Sequence, residues 1–259
     1  MERKKIGLAL SGGAARGFAH LGVLKVLREH DIPIDFIAGT SAGSFAGGAI
    51  ASGLSVEEIV KMSRKIGWYN MTGFSFSPKG LLSNAAMGAF INRHFPHKNI
   101  EDLPIAFAAV AVDLETGEEI VLKKTGDLSM AIRASCAIPG VFVPVEIGGR
   151  KLIDGGVVAP VPTKAARKLG AEIVIAVDVI SDGATFWGSP NTLLGVFFQS
   201  AMMLLRTAAK HQHYRADLVI IPKIAHLRQD EIGKMDEFIE AGEAAAREKI
   251  DEIKKLING

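Results

Sequence analysis

Short apolar runs alternate along the chain with segments whose apolar residues recur every three or four positions. The runs predict buried strands and the wider spacing predicts helices. Strands are predicted at residues 6–10, 34–38, 105–112 and 119–123, in a hairpin of 143–147 and 151–153, and in two central parallel strands at 173–177 and 218–221. Helices are predicted at 14–29, 42–52, 55–66, 83–95, 128–135, 162–169, 191–214 and 234–257. The alternation predicts an α/β fold, a three-layer α/β/α sandwich with a mostly parallel central sheet.

Helix starts have recognisable residues. Ser55 with Glu58 forms a capping box, Ser83 is expected to cap its helix, and Pro162 is expected at the first helical position. No repeat, low-complexity tract or linker composition interrupts the 259 residues, so one domain over 1–259 is expected.

Composition and charge exclude several classes of protein. The net charge of +2 lacks the basic excess of a nucleic-acid-binding surface. Cys136 is the one cysteine, which excludes an internal disulfide and favours a reducing compartment. The apolar run at 6–10 is too short for a signal peptide, and the stretch 193–205 is shorter than the roughly 20 residues that span a bilayer. A cytoplasmic protein is therefore expected.

Residues 39–43 match the pattern G-x-S-x-G, with Gly39 and Gly43 flanking Ser41. A predicted strand precedes this pentapeptide and a predicted helix follows it, as in a nucleophile elbow. Such a turn exposes the serine hydroxyl at the edge of the sheet, where the helix N-terminus favours developing negative charge. The alternative is an ordinary turn in which Ser41 only caps the helix.

A second glycine cluster, Gly12 and Gly13 followed by Ala14, also lies between a predicted strand and a predicted helix. Its backbone amides are candidates for an oxyanion hole, because consecutive small residues expose N–H groups at a helix start. Dinucleotide binding fits less well, since Ala14 stands where the G-x-G-x-x-G motif needs its second glycine. Arg16 either orders this loop or neutralises a phosphate, unless it is a solvated helix residue.

A nucleophilic serine needs a base, and no histidine of this chain has the setting of a triad histidine. All seven are expected on helix surfaces or as caps, with His20 the one closest to the glycine cluster: His20, His30, His94, His97, His211, His213 and His226. Asp154 is the alternative base, because it ends an apolar strand before Gly155 and Gly156. Burial there would raise its proton affinity. Otherwise Asp154 is a turn former.

Three of these motifs together resemble the patatin-like phospholipase family, in its small bacterial or archaeal form. They are the glycine-rich loop 11–17, the elbow 39–43 and the Asp-Gly-Gly at 154–156; segments 112–117 and 134–144 are also similar, so the resemblance runs over about 4–222. It implies a Ser41–Asp154 dyad that hydrolyses acyl esters of lipids through an acyl-enzyme, with no metal or other cofactor. Ala14 departs from the usual third glycine, and its amide is expected to donate provided that its φ is negative.

The resemblance implies a lipid or acyl-ester substrate and leaves open contact with the inner face of a membrane and self-association. Aromatic and apolar residues crowd 68–82, expected to be a lid or substrate entry, and 186–203, where core packing or a dimer interface is favoured over lipid contact. Two alternatives to hydrolysis remain, an acyltransferase that uses the same acyl-enzyme and a lipid-binding protein with a vestigial site.

Overall fold

The computed structural model describes residues 3–64, 73–74, 81–183 and 191–258. Its strands are β1 Ile6–Leu10, β2 Phe36–Thr40, β3 Gly73–Phe74, β4 Leu82–Ser83, β5 Ala106–Asp113, β6 Glu119–Lys123, β7 Val145–Ile147, β8 Arg150–Asp154, β9 Ile173–Val177 and β10 Leu218–Ile220. Its α-helices are α1 Phe18–Glu29, α2 Ala42–Ala51, α3 Val56–Ser63, α4 Ala85–His94, α5 Leu128–Ser135, α6 Thr163–Leu169, α7 Leu193–Gln212, α8 Met235–Arg247 and α9 Ile250–Asn258.

The main sheet has the order β10-β9-β1-β2-β5-β8-β7, with β6 also paired to β5. From β10 to β5 the strands are parallel, whereas β6, β7 and β8 run antiparallel to their neighbours. The mostly parallel sheet is thereby confirmed. β1 is buried throughout because it lies in the middle, where both faces are covered.

Each face of the sheet carries its own core, because successive side chains of a strand point to opposite sides. Ile6, Leu8 and Leu10 pack into the core that α1 and α2 cover. Ala9 belongs to the opposite core, with Ala165 and Ala166 of α6. Helices therefore cover both faces, which confirms the three-layer α/β/α architecture. None of the described helices has the length and apolar character needed to cross a bilayer.

Several predicted boundaries are wrong. β10 lies at the edge of the sheet rather than in its centre. Asn84, and not Ser83, is the N-cap of α4, and Pro162 is the N-cap of α6 rather than its first residue. The predicted helix 234–257 is two helices, α8 and α9. The helix predicted from Ala14 begins with a 3-10 turn that continues into α1.

Two predicted segments lie partly outside the described residues. Within 68–82 the structure describes 73–74, paired as a short antiparallel ribbon with β4, and 81–82. Within 186–203 it describes 191–203, where α7 begins. The lid that was expected at 68–82 therefore remains a prediction.

Candidate active site

The register of three neighbouring strands brings Ser41 and Asp154 together. Thr40, the last residue of β2, pairs with Val110 of β5, and the next residue of β5, Ala111, pairs with Asp154 at the end of β8. Ser41 follows Thr40 directly, so it reaches the same edge of the sheet as Asp154. The glycine loop follows β1, which is the neighbour of β2 on its other side.

The backbone at Ser41 has the strained geometry of a nucleophile elbow. Its φ is 52° and its ψ is −123°, a backbone conformation that residues other than glycine rarely adopt. Gly39 and Gly43 allow the turn, because a Cβ on Gly39 would lie 2.4 Å from the Gly43 carbonyl oxygen. A Cβ on Gly43 would lie 2.2 Å from the carbonyl oxygen of Leu10. Both glycines are therefore required by close backbone contact.

Two further serines hold the elbow in this conformation. The Ser41 amide donates to Ser135 Oγ over 2.9 Å, and Ser135 Oγ donates to the Val110 carbonyl over 2.6 Å. Ser44 Oγ donates to the Ser41 carbonyl over 2.7 Å. Ser135 and Ser44 are buried, so these hydrogen bonds face little competition from water.

Asp154 is buried and has the electrostatics of a base near neutral pH. Burial raises its pKa to about 6, against the opposing effects of hydrogen bonds from the Ser41 hydroxyl and the Gly156 amide. The Gly156 N–H donates to Asp154 Oδ1 over 2.7 Å, and the Asp154 amide donates to the Ala137 carbonyl over 2.9 Å. The carboxylate is thus both desolvated and fixed in orientation.

The glycine loop approaches Ser41 but differs from the expected oxyanion hole at two residues. The Gly12 amide donates to the Pro160 carbonyl over 3.0 Å, so it is not a free donor. Gly12 lies beside the nucleophile, since a Cβ there would be in ordinary van der Waals contact with Ser41 Cβ, at 3.4 Å. The expected negative φ of Ala14 is wrong, because its φ is 50°. Among the described hydrogen bonds, the amides of Gly13 and Ala14 have no acceptor.

Arg16 is fully buried, which rules out the solvated helix residue. All five of its N–H groups donate to backbone carbonyls, those of Val179, Gly183, Ile224 and Leu227. Its guanidinium therefore ties the glycine loop to two distant segments. A phosphate contact would have to displace one of these bonds, so the loop-ordering alternative fits the structure better.

His20 is buried rather than exposed, in contrast to the expectation from its helix. Its Nε2 lies 2.9 Å from the Ser11 carbonyl oxygen, and burial lowers its pKa to about 4. The ring is therefore neutral and Nε2–H donates to that carbonyl. No histidine is hydrogen-bonded to Ser41 in the part of the chain that the structure describes.

An apolar cavity of about 160 Å³ opens beside Ser41. Its walls come mainly from α1, α2 and α3 and from the segment that follows α5, which brings Cys136, Ile138 and Phe142 to the cavity. Burial raises the pKa of the Cys136 thiol to about 12, so it stays protonated beside Ser41. The described residues include no group of three or more His, Cys, Asp or Glu side chains that could hold a metal ion.

Comparison with known proteins decides the family. The family model described as Patatin-like phospholipase matches residues 8–167, more than half of the chain. The chain belongs to the patatin-like phospholipase family. This match spans the glycine loop, the elbow and Asp154.

Patatin-like phospholipase relatives are longer than this chain. The uncharacterized NTE family protein Rv1063c of Mycobacterium tuberculosis is 37% identical over 178 residues, which are 68% of this chain and 49% of that protein. Lysophospholipase NTE1 of Debaryomyces hansenii is 32% identical over 202 residues, 75% of this chain and 13% of that protein. The chain thus spans half or less of these relatives. VipD from Legionella pneumophila shares the fold, with a TM-score of 0.60 and 14% identity over 97% of this chain and 67% of VipD.

Sequence motifs of patatin-like phospholipases locate part of this site and miss the rest. The expected residues around Ser41 and Asp154 come together. The sequence motifs assign no role to the other residues that contact Ser41, which are Ser135, Ser44 and Cys136. The segment 134–144 was identified as similar to the family, and that was the available signal for Ser135. Its partners on β2 and β5 become evident only in three dimensions.

Proposed function

We propose that this chain hydrolyses carboxylic esters of lipids through an acyl-enzyme on Ser41, with Asp154 as the base. The observation that carries the proposal is the register of β2, β5 and β8, which brings Ser41 to the same edge of the sheet as Asp154, a buried carboxylate whose pKa is raised to about 6. An ordinary aspartate, with a pKa near 3.9, would be too weak a base for a serine hydroxyl.

Acylation begins when Ser41 Oγ attacks the acyl carbonyl carbon and its proton passes to Asp154. The carbonyl oxygen becomes an oxyanion, for which the amides of Gly13 and Ala14 are the candidate donors because neither has an acceptor among the described hydrogen bonds, although the φ of Ala14 is positive and not negative. Each such donor is worth about 3 kcal/mol in the transition state. The tetrahedral intermediate then collapses, the C–O bond to the alcohol breaks, and Asp154 returns its proton to the leaving oxygen.

Deacylation reverses these roles with water as the nucleophile. Asp154 takes a proton from the water as its oxygen attacks the acyl-enzyme carbonyl, and the free carboxylic acid leaves. Ser41 Oγ recovers the proton from Asp154. One carboxylate therefore serves as base and acid in both halves of the reaction, and no histidine is required.

The apolar cavity supports an acyl chain as the bound part of the substrate. Its lining is almost entirely carbon, from side chains such as Leu21, Phe45 and Ile59, so it favours an alkyl chain over a polar group. The lysophospholipase name of the Debaryomyces hansenii relative supports a lipid ester. Acyl transfer would use the same acyl-enzyme with an alcohol or thiol in place of water.

Turnover of p-nitrophenyl esters by the wild type and three variants tests the proposal. The wild type is expected to release p-nitrophenol, and Ser41→Ala and Asp154→Asn are expected to lose at least about a thousandfold in kcat/KM. Ser200→Ala, which alters an exposed serine on α7, is the matched control and should retain activity. A fluorophosphonate probe should label the wild type and Ser200→Ala but not Ser41→Ala. Equal turnover by wild type and Ser41→Ala would contradict the proposal.

A further inference from the structure

Helix α7 has two apolar faces, and among the described residues only one of these faces packs against the rest of the protein. The inner face carries Phe198, Met202 and Leu205, which pack together with Ile180. The outer face exposes large apolar side chains at successive spacings of three, one, six and one residues, which places them on one side of a helix with 3.6 residues per turn. They are Leu193 (88% exposed), Val196, Phe197 (63%), Met203 and Leu204 (74%). We call these five residues the outer stripe.

The inner face of α7 lies against the parts of the chain that form the active site. Leu205 Cδ1 is 3.3 Å from where a Cβ on Gly156 would lie, two residues after Asp154. Phe198 packs on the cluster that contains Phe142, which also lines the cavity beside Ser41. The outer stripe therefore lies on the side of α7 that faces away from Gly156 and Phe142.

The segment 155–161, which follows Asp154, is also hydrogen-bonded to the C-terminal end of α7. Gln212 Nε2 donates to the Val158 carbonyl over 2.9 Å, and the Val161 amide donates to Gln212 Oε1 over 2.7 Å. Val157 and Val158 on this loop are themselves exposed. The segment 155–161 thus adds exposed apolar side chains to the region of the surface that is next to the C-terminal end of α7.

Charge distinguishes this region from the rest of the chain. No aspartate or glutamate occurs between Asp182 and Asp217, while Arg206, Lys210 and Arg215 lie in that interval. In the part of the chain that the structure describes, none of these three cations forms an ion pair. In space, Asp182 lines a pocket together with Lys210, and Asp178 pairs with His213. An apolar helix that carries cations and no acidic residue of its own matches the surface of an anionic bilayer, where acyl chains lie below phosphate groups.

We propose that α7 is the interfacial element of this protein, and that the outer stripe inserts among the lipids of an anionic membrane while Arg206, Lys210 and Arg215 contact their phosphates. Binding of α7 to the membrane requires no hydrolysis. The inference that this binding delivers the enzyme to its substrate rests on the proposed function. Core packing, which the sequence favoured for this region, accounts for the inner face alone. A second copy fits the stripe less well, because a symmetric contact would bring the same three cations of both copies to one interface, to which α7 contributes no carboxylate.

Sedimentation with phospholipid vesicles tests this proposal in a Ser41→Ala background, which prevents lipid turnover. Vesicles of phosphatidylcholine alone are compared with vesicles that also contain phosphatidylglycerol. The protein is expected to bind the anionic vesicles, and adding Phe197→Asp with Leu204→Asp should lower the partition coefficient by at least about tenfold. Lys210→Glu with Arg215→Glu should remove the preference for phosphatidylglycerol. Leu114→Ser, at an exposed leucine in the turn after β5, is the control and should bind like its parent.

Two results would overturn the proposal. One is vesicle binding that the aspartate pair on the stripe leaves unchanged, with circular dichroism showing that the variant is folded. The other is a protein that ignores vesicles but forms a dimer that the same pair dissociates, as measured by light scattering, which would make the stripe a subunit contact. Ester turnover in the wild-type chain is scored separately. Vesicle binding without ester turnover would refute the proposed function and leave the membrane-binding surface standing. Ester turnover without vesicle binding would refute the membrane-binding surface and leave the proposed function standing.

Discussion

The Ser41 amide donates a hydrogen bond to Ser135 Oγ over 2.9 Å, and the same oxygen donates to the Val110 carbonyl over 2.6 Å. One hydroxyl group therefore joins the nucleophile's backbone to the neighbouring strand β5. The φ of Ser41 is 52°, and a conformation of this kind persists only when its surroundings hold it. Ser135 is one of the groups that hold it.

Replacing Ser135 by alanine should impair catalysis more than substrate binding. The change leaves the Ser41 amide and the Val110 carbonyl without their buried partner, at a cost of about 1–3 kcal/mol in the free energy of unfolding. We expect kcat for a p-nitrophenyl ester to fall about tenfold or more, with KM nearly unchanged, because a loosened elbow misplaces Ser41 Oγ. Ser135→Thr should restore part of kcat by restoring the hydroxyl.

Ser52→Ala is the matched control for this experiment. Ser52 is also a buried serine, and its hydroxyl donates to the Ala49 carbonyl at the end of α2. It should lose stability without a selective loss of kcat. If Ser135→Ala and Ser52→Ala lost kcat equally, Ser135 would have only a general structural role.

Asp154→Asn should stabilise the folded protein at pH 8 while it abolishes turnover. Burial raises the pKa of Asp154 from 3.8 to about 6, so the folded state binds the proton more tightly than the unfolded state. The stability that this proton contributes is complete below pH 3.8 and is lost as the pH rises through about 6. Above that pH the wild type carries a penalty of up to about 3 kcal/mol that the neutral amide lacks.

Thermal unfolding at pH 8 and at pH 4 measures this effect. The melting temperature of Asp154→Asn should exceed that of the wild type by several degrees at pH 8 and by much less at pH 4. Asp113→Asn is a control of opposite sign, because hydrogen bonds from the Glu115 and Thr116 amides lower the pKa of that carboxyl. A melting temperature of Asp154→Asn below the wild type at pH 8 would mean that burial does not strain this carboxylate.

Ala14→Gly should stabilise the protein and preserve its activity. Ala14 has a φ of 50°, where an alanine costs about 1–2 kcal/mol relative to its ordinary conformations. Glycine adopts this φ freely but gives the unfolded chain more entropy, so the net gain should be a few tenths to 1 kcal/mol. Chemical denaturation measures it, with Ala15→Gly as the control that should lose stability in the same 3-10 turn. A large loss of stability in Ala14→Gly would show that the alanine methyl group packs favourably.

Ala46→Leu should shift the preference of the enzyme toward shorter acyl chains. Ala46 lines the cavity beside Ser41, and the added carbons would occupy space that the proposed alkyl chain needs. Each methylene that is excluded costs about 0.8 kcal/mol of binding, or about fourfold. The ratio of kcat/KM for p-nitrophenyl decanoate to that for the butyrate should fall about tenfold. Ile59→Val, which widens the same cavity, should leave or raise this ratio, and a ratio unaffected by Ala46→Leu would place the acyl chain elsewhere.

The sequence predicts the parts of this site that are local in the chain. The elbow at Ser41 and the position of Asp154 depend on glycines and strand ends within a few residues, so their patterns can be seen without a structure. Position in the sheet is different, because an apolar run such as 218–220 is the same in a central strand and at an edge. The alternatives for Arg16 stay open in the sequence for a related reason, since its carbonyl partners lie about 160 to 210 residues away.

The backbone conformation and hydrogen bonds of the glycine loop also could not be predicted from the sequence. The Gly12 amide is used by the Pro160 carbonyl, and this contact depends on how the segment after Asp154 returns to β1. The positive φ of Ala14 is set by the same packing rather than by the preference of alanine. Tertiary contacts therefore decide which amides of the loop are free.

Mass spectrometry of the acyl-enzyme tests the central claim most directly. The protein is mixed with p-nitrophenyl butyrate, quenched in acid within the first turnovers and digested, and the peptide that carries Ser41 is examined for a butyryl group. We predict acylation of Ser41 whose rate rises with pH through about 6, as Asp154 loses its proton, and which is absent in Asp154→Asn. Turnover without an acyl group on Ser41, or acylation at the wild-type rate in Asp154→Asn, would contradict the account.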